Sequence, residues 1–235
     1  VIAHNDVHRE GDERMKAINN ELGRGEQSRG FRHPNNRDGL GGTGKNEKML
    51  DEFGVLPWKN FEPPGENLAT PVHIETMRDA DEFTVVDRGC FGCEIACHMD
   101  FYDSPAEGKD PDPRKQRRNH GDFLGRYEFE PMELAGPNLG ILDPRENLKL
   151  ARLDDDLGFD TISVNVVLSF VMDYNTRGGD QLAGGLQFGD AAAAARVKED
   201  IAYGREPLLG KGTKAVSEAV GGSGFAMHCK GVEHS

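Results

Sequence analysis

Cysteine is scarce in this chain, with four among 235 residues, and three of those fall between positions 90 and 97. That excludes a disulfide-stapled secreted scaffold, which needs cysteines spread along the sequence, and points to a reducing compartment and a cytoplasmic protein. Long apolar runs are also missing. No stretch approaches the roughly 20 residues that cross a bilayer as a helix, and no leader segment is visible, so no membrane partner is expected. Positive charge is the third shortage: 28 Lys and Arg stand against 41 Asp and Glu, for a net charge of -13. Such a surface repels phosphate backbones and anionic lipids, which excludes nucleic acid as the main partner. Hydrophobic residues make up only 36% and mean hydropathy is -0.63. With 30 glycines and 12 prolines, loops must take a large share of a chain long enough for one large domain.

What is present reads as mainly α. Asp12 to Leu22 has helical spacing, Arg24 to Gly44 reads as a loop, and Thr43 opens a short helix ended by Gly54. Leu56 to Phe61 reads as extended because of its proline. Residues 69–82 suggest a helix leading into a short strand, Phe83 to Val86. The stretch 100–125 is polar, with Pro105, Pro111 and Pro113, and is expected to be a surface insertion. Beyond it, Asp143-Pro144-Arg145-Glu146 places an N-cap, an N1 proline and an N3 acid in register. Leu150, Leu153 and Leu157 then share a face, and Gly158 ends the helix. A second, largely buried helix runs through Phe159, Ile162, Val166, Phe170 and Tyr174. Asp190 caps a third helix to Tyr203, and a fourth spans Lys211 to Val220. No β-α alternation appears, so a parallel sheet is not expected. The whole, 1–235, reads as one irregular helical domain. Because it begins at Val1 rather than Met, it reads as an internal piece of a longer protein.

The strongest motif is Cys90-x2-Cys93-x3-Cys97. Three thiolates on one loop can hold three corners of an iron–sulfur cube, since cluster irons favour soft sulfur ligands. The competing reading is a structural zinc site using two of them, with Cys229 or a histidine as partner.

Six landmarks then fall in order: Gly54-Val55-Leu56-Pro57-Trp58-Lys59-Asn60-Phe61; Arg88-Gly89-Cys90 through Cys97; Phe129-Glu130 with Gly136-Pro137-Asn138-Leu139-Gly140; Asp155-Asp156-Leu157-Gly158-Phe159-Asp160; Gly185 through Asp190; and Phe225 through Gly231. Together they resemble the tungsten-dependent aldehyde:ferredoxin oxidoreductase family. The resemblance implies the middle helical domain of a three-domain enzyme, lacking the β-rich pterin-binding domain before it and the helical domain after it. It further implies a tungsten (or molybdenum) ion held by two pterins, a [4Fe-4S] cluster, ferredoxin as electron acceptor, a small aldehyde substrate and a homo-oligomer. Cys90, Cys93 and Cys97 match the family's clustered ligands. Its fourth cysteine lies in a motif this chain lacks, and Cys229 is expected to be a buried structural residue instead.

Asp155, Gly158 and Asp160 match a family turn that contacts a pterin. Their simpler role is a capped turn between two helices. Glu130 matches a glutamate facing the metal, where a carboxylate can take a proton from water; its simpler role is a helix N-terminal acid. Phe129 stands where relatives usually carry Tyr, which puts the usual substrate range in question. Asn138 is expected to shape the pocket or to serve only a turn, and Lys230 to meet a pterin phosphate or only solvent. Two other functions remain open: a divergent member acting on another substrate such as an acyl thioester, and a non-catalytic electron-transfer or zinc module.

Overall fold

The computed structural model describes residues 42–63, 68–88, 98–110, 113–116 and 118–234, together with Glu13, Arg14 and Ala17. The remainder of the Asp12–Leu22 helix and all three clustered cysteines lie outside the described residues.

Helices dominate, but a sheet that the sequence only hinted at forms half of the frame. After a 3-10 turn at Thr43–Asn46 comes α1 (Glu47–Glu52), then α2 (Ile74–Asp79), and then three antiparallel strands: β1 (Phe83–Arg88), β2 (His98–Asp103) and β3 (Phe123–Tyr127), in the order β1-β2-β3. The predicted strand at Phe83 is therefore longer, and it forms one side of the sheet, paired with β2. The expected insertion at 100–125 is bounded by strands: its first residues complete β2, its last lie in β3, and the described part of the connection between them includes a single helical turn at Pro113–Gln116. Hydrophilic residues hid these strands. Asp100 is nearly buried yet accepts from Arg88 Nε at 2.9 Å and Arg126 Nε at 3.2 Å across both neighbouring strands. A buried charge so paired is tolerated in a strand.

The sheet leads into α3 (Phe129–Ala135), a 3-10 turn at Pro137–Leu139, α4 (Pro144–Leu157), α5 (Thr161–Thr176), α6 (Ala191–Ala202) and α7 (Thr213–Val220), closed by a ribbon of β4 (His228–Cys229) and β5 (Val232–Glu233). The caps fall where the sequence put them. Asp143 accepts from Glu146 N–H, Asp160 from Ser163 N–H and Asp190 from Ala193 N–H.

Two apolar clusters result. Phe83, Met99, Phe101, Tyr127, Met132 and Leu148 form a sheet-side core. Leu139, Leu150, Leu168, Phe170, Val197 and Val216 form a helical core. Helices α3 and α4 divide them, with Met132 and Leu148 on one side and Ala135 and Leu150 on the other. Gly125 lets β3 approach α4: a Cβ there would stand 2.5 Å from the Leu148 carbonyl oxygen.

One backbone expectation is overturned. Lys59, Asn60 and Phe61 are not extended but left-handed, with φ of 43°, 61° and 61°. Tertiary bonds impose this. Asn60 Nδ2 donates to the buried Asp173 carboxylate and to the Phe225 carbonyl, and Phe61 N–H donates to Asn138 Oδ1. Together these outweigh a strain of about 1–3 kcal/mol per residue.

Candidate active site

The sheet brings two of the predicted features to one end. Arg88 pairs with His98, so residues 89–97 leave and re-enter the sheet at neighbouring strand ends. Met99 pairs with Tyr127, and α3 with Glu130 follows at once. The cysteine stretch and Glu130 thus root at the same edge. His98 lies there too, its Nδ1 4.0 Å from Glu128 Oε1. Its imidazole is held below its ordinary pKa, mainly because burial disfavours the cation. Glu130 is half-buried in the first turn of α3, and Phe129 N–H donates to Thr43 Oγ1, which fixes the helix start against the first 3-10 turn.

The second group of predicted residues lies elsewhere. Asp155, Gly158 and Asp160 form the turn between α4 and α5. Arg152, one turn earlier, donates to the Phe123 carbonyl at the start of β3, whereas Glu130 follows the end of that strand. A single group touching both would have to be extended, since a five-residue strand spans roughly 15 Å.

At the turn, Asp155 is exposed and no described residue bonds its carboxylate. Gly158 has φ +73°, and a Cβ there would meet nothing within 4 Å. Asp160 keeps its capping role, accepting from Ser163 N–H at 2.7 Å. Beside it an apolar cavity of about 100 Å³ is lined by Phe159, Val164, Val167 and Leu209. A free acceptor, open space and a glycine suit a flat heterocycle carrying N–H donors.

Asn138 belongs to neither place. It is fully buried; its Oδ1 accepts from Phe61 N–H and its carbonyl from Asn60 N–H, while its Nδ2 has no acceptor among the described residues. Asn60 in turn bonds Ser169 and Asp173, well along α5 from Asp160. Cys229 is a correction: it is exposed on β4, not a buried structural residue, because the ribbon carries it at the surface. Lys230 is likewise exposed, at φ 56° in the tight turn of that ribbon. Among the described residues no set of three or more His, Cys, Asp or Glu is placed to hold a metal. No single described helix is long and apolar enough to cross a membrane.

Sequence reasoning missed one polar cluster altogether. Glu47 and Asp51 of α1, His73, Tyr127 and Glu133 converge in the sheet-side core, all below 5% exposed. Asp51 Oδ2 lies 2.8 Å from His73 Nε2, and Glu47 Oε2 accepts from Ile74 N–H at 2.7 Å and from the Tyr127 hydroxyl. Glu133 is held well above the usual carboxyl range, first by burial and then by the Glu47 charge. The i, i+4 spacing of Glu47 and Asp51 resembles an exposed helix face, and only the fold shows otherwise.

Comparison with known proteins points to an oxidoreductase family. The family model for aldehyde ferredoxin oxidoreductase, domains 2 & 3, matches residues 27–235, and the chain belongs to that family. It is 28% identical over 137 residues to the tungsten-containing aldehyde ferredoxin oxidoreductase of Pyrococcus horikoshii, a match covering 58% of this chain and 20% of that protein. With the tungsten-containing aldehyde ferredoxin oxidoreductase of Thermococcus kodakarensis it shares 25% identity over 199 residues, 82% of this chain and 30% of that protein. The chain therefore spans well under half the length of the curated relatives it matches.

Proposed function

We propose that this chain is the middle, mainly helical part of a tungsten-pterin oxidoreductase that converts an aldehyde and water to a carboxylic acid, passing electrons singly through a [4Fe-4S] cluster to ferredoxin. The observation that carries the reading is the family match from residue 27 onward, together with Glu130 and the cysteine stretch rooted at one sheet edge. When bound, the tungsten-pterin centre supplies the two-electron oxidation. The chain's own residues bind, orient and move protons. Asp155 accepts from N–H groups of a pterin, and Gly158 lets the ring approach the backbone. Asp160 orders the start of α5 with one oxygen and keeps the other free. Glu130 takes the proton of the attacking water, a role suited to a half-buried carboxylate at a helix start. Cys90, Cys93 and Cys97 hold three corners of the cluster, with a fourth ligand from elsewhere in the enzyme. The net acidic charge leaves ferredoxin to be met by a local patch or by the rest of the protein.

Phe129 favours a second reading of the substrate. Its ring packs against the sheet-side core and offers no hydroxyl, so a substrate other than a simple aldehyde, such as an acyl thioester, is accommodated without a phenol donor.

The test is elemental analysis and turnover of the anaerobically purified full-length protein. Tungsten and iron with aldehyde oxidation are expected. Glu130→Gln should retain both metals and lose on the order of a hundredfold or more in kcat. Unchanged turnover eliminates the proton-transfer role, and zinc without iron overturns the whole reading.

A further inference from the structure

Glu133 follows Glu130 by one helical turn on α3, yet it points into the sheet-side core at 1% exposure. Neither of its carboxyl oxygens meets a donor among the described residues, and Glu47 Oε1 beside it is equally unmet. Glu47 Oε2 is already occupied by the Ile74 N–H and the Tyr127 hydroxyl. The two carboxyl groups can satisfy one another only if a proton lies between them. We propose that Glu133 and Glu47 form a buried proton-holding pair that exchanges a proton with Glu130 during turnover.

The inference rests on the aldehyde-oxidising reading above. That reaction, RCHO + H2O → RCOOH + 2 H+ + 2 e−, sends its electrons to the one-electron acceptor and leaves two protons to be removed. Glu130 takes one. Residues three apart on a helix have Cβ atoms roughly 5–6 Å apart, so the two carboxyl groups start from neighbouring positions on α3. At rest Glu133 is the acid and Glu47 the carboxylate. Taking up the Glu130 proton as a second acid restores Glu130 as a base; between turnovers that proton passes back through Glu130 to bulk water, where the other product proton also goes.

The groups facing the pair are consistent with this. Asp51 adds negative charge at Glu133, which favours keeping a proton there, and Glu130 adds to the negative charge facing Tyr127. His73 is tied to Asp51 and favours a charged Glu47, and the Tyr127 hydroxyl is held far above its ordinary pKa by burial and these carboxylates, so it donates without ionising. A purely structural site has no need of such a pair. Burying unmatched acid costs stability that a matched ion pair or apolar residues avoid, and strongly perturbed carboxyls gather where protons are moved.

The experiment uses the metal-loaded full-length enzyme, with Glu133→Gln and Glu133→Met compared with wild type for metal content, kcat against pH and the solvent deuterium isotope effect. Both variants should keep their metals and KM, lose on the order of tenfold to a hundredfold in kcat, and show a raised isotope effect with an altered alkaline limb. Infrared difference spectra of the wild type should show a protonated carboxyl band that responds to turnover. An active wild type without that band overturns the inference even if the variants misfold. Metal-replete variants with wild-type kcat and pH profile overturn it directly, and leave the aldehyde reading standing. A wild type that oxidises no aldehyde removes both.

Discussion

In the helical core the buried carboxylate of Asp154 meets the buried ammonium of Lys198 at 2.7 Å and also accepts from Asn165 Nδ2 at 2.9 Å. In the sheet-side core three buried carboxyls, Glu47, Asp51 and Glu133, face one imidazole and one phenol. The first set is balanced in charge and close to satisfied, so it joins α4 to α5 and α6 and has nothing left to give. The second sets three carboxyls against at most one cation and holds a proton in place of one of the missing charges. Equal burial therefore serves two ends: a matched pair fixes geometry, while an unmatched one stores a titratable charge.

The largest effect that would break this comparison is expected in the helical core. Lys198→Met leaves Asp154 buried without a cation and should cost about 3–5 kcal/mol of unfolding free energy. Urea denaturation is the measurement. Asp154→Leu combined with Lys198→Met should recover most of the loss, since removing both partners removes the desolvation of either. A loss below about 1 kcal/mol in the single variant would mean that the pair is not the tie between α4 and α6.

The sheet-side core should instead respond to pH. The folded pKa of Glu133 is raised above its unfolded value near 4.5. A raised carboxyl favours the folded state while protonated. Its contribution is complete below the unfolded pKa and is lost as pH rises through the range up to the folded one. The slope is at most about 1.4 kcal/mol per pH unit for one proton. Denaturation midpoints of wild type should thus fall as pH rises above about 4.5, and Glu133→Gln should flatten that fall. An equal slope in both proteins would show that the proton is not held at Glu133.

These two cores also mark how far the sequence could be read. Caps at Asp143, Asp160 and Asp190 and the buried helix through Phe170 were legible, because capping chemistry and apolar spacing act within a few residues. The sheet was legible only at Phe83: β2 carries Asp100 and Asp103 and reads as loop until Arg88, Arg126 and Arg145 are seen to pair with them. The turn at Lys59–Phe61 defied local rules because its bonds come from Asn138 and Asp173, far along the chain. At the candidate site the motifs singled out Glu130 and the α4–α5 turn, but could not show their separation along β3. The Glu47–Glu133 pair left no motif at all, since its members are 86 residues apart in sequence and each alone resembles a surface acid.

The smallest effect sharpens the comparison within two adjacent residues. Asp154 turns inward to Lys198, and Asp155 turns outward without a partner. Asp155→Asn should therefore change stability by less than about 0.5 kcal/mol, as surface substitutions usually do. Gly158→Ala meets no atom but must hold φ +73°, which costs on the order of 1 kcal/mol. If the turn carries a pterin, both variants of the full-length protein should lose tungsten far out of proportion to those small stability changes, with iron retained because Arg88 and His98, which flank the cysteine stretch, lie at the other end of the sheet. Retention of tungsten in both would reduce the turn to a helix connection. Lys198→Met supplies the contrasting case: there stability falls first, and metals are lost only as the protein unfolds.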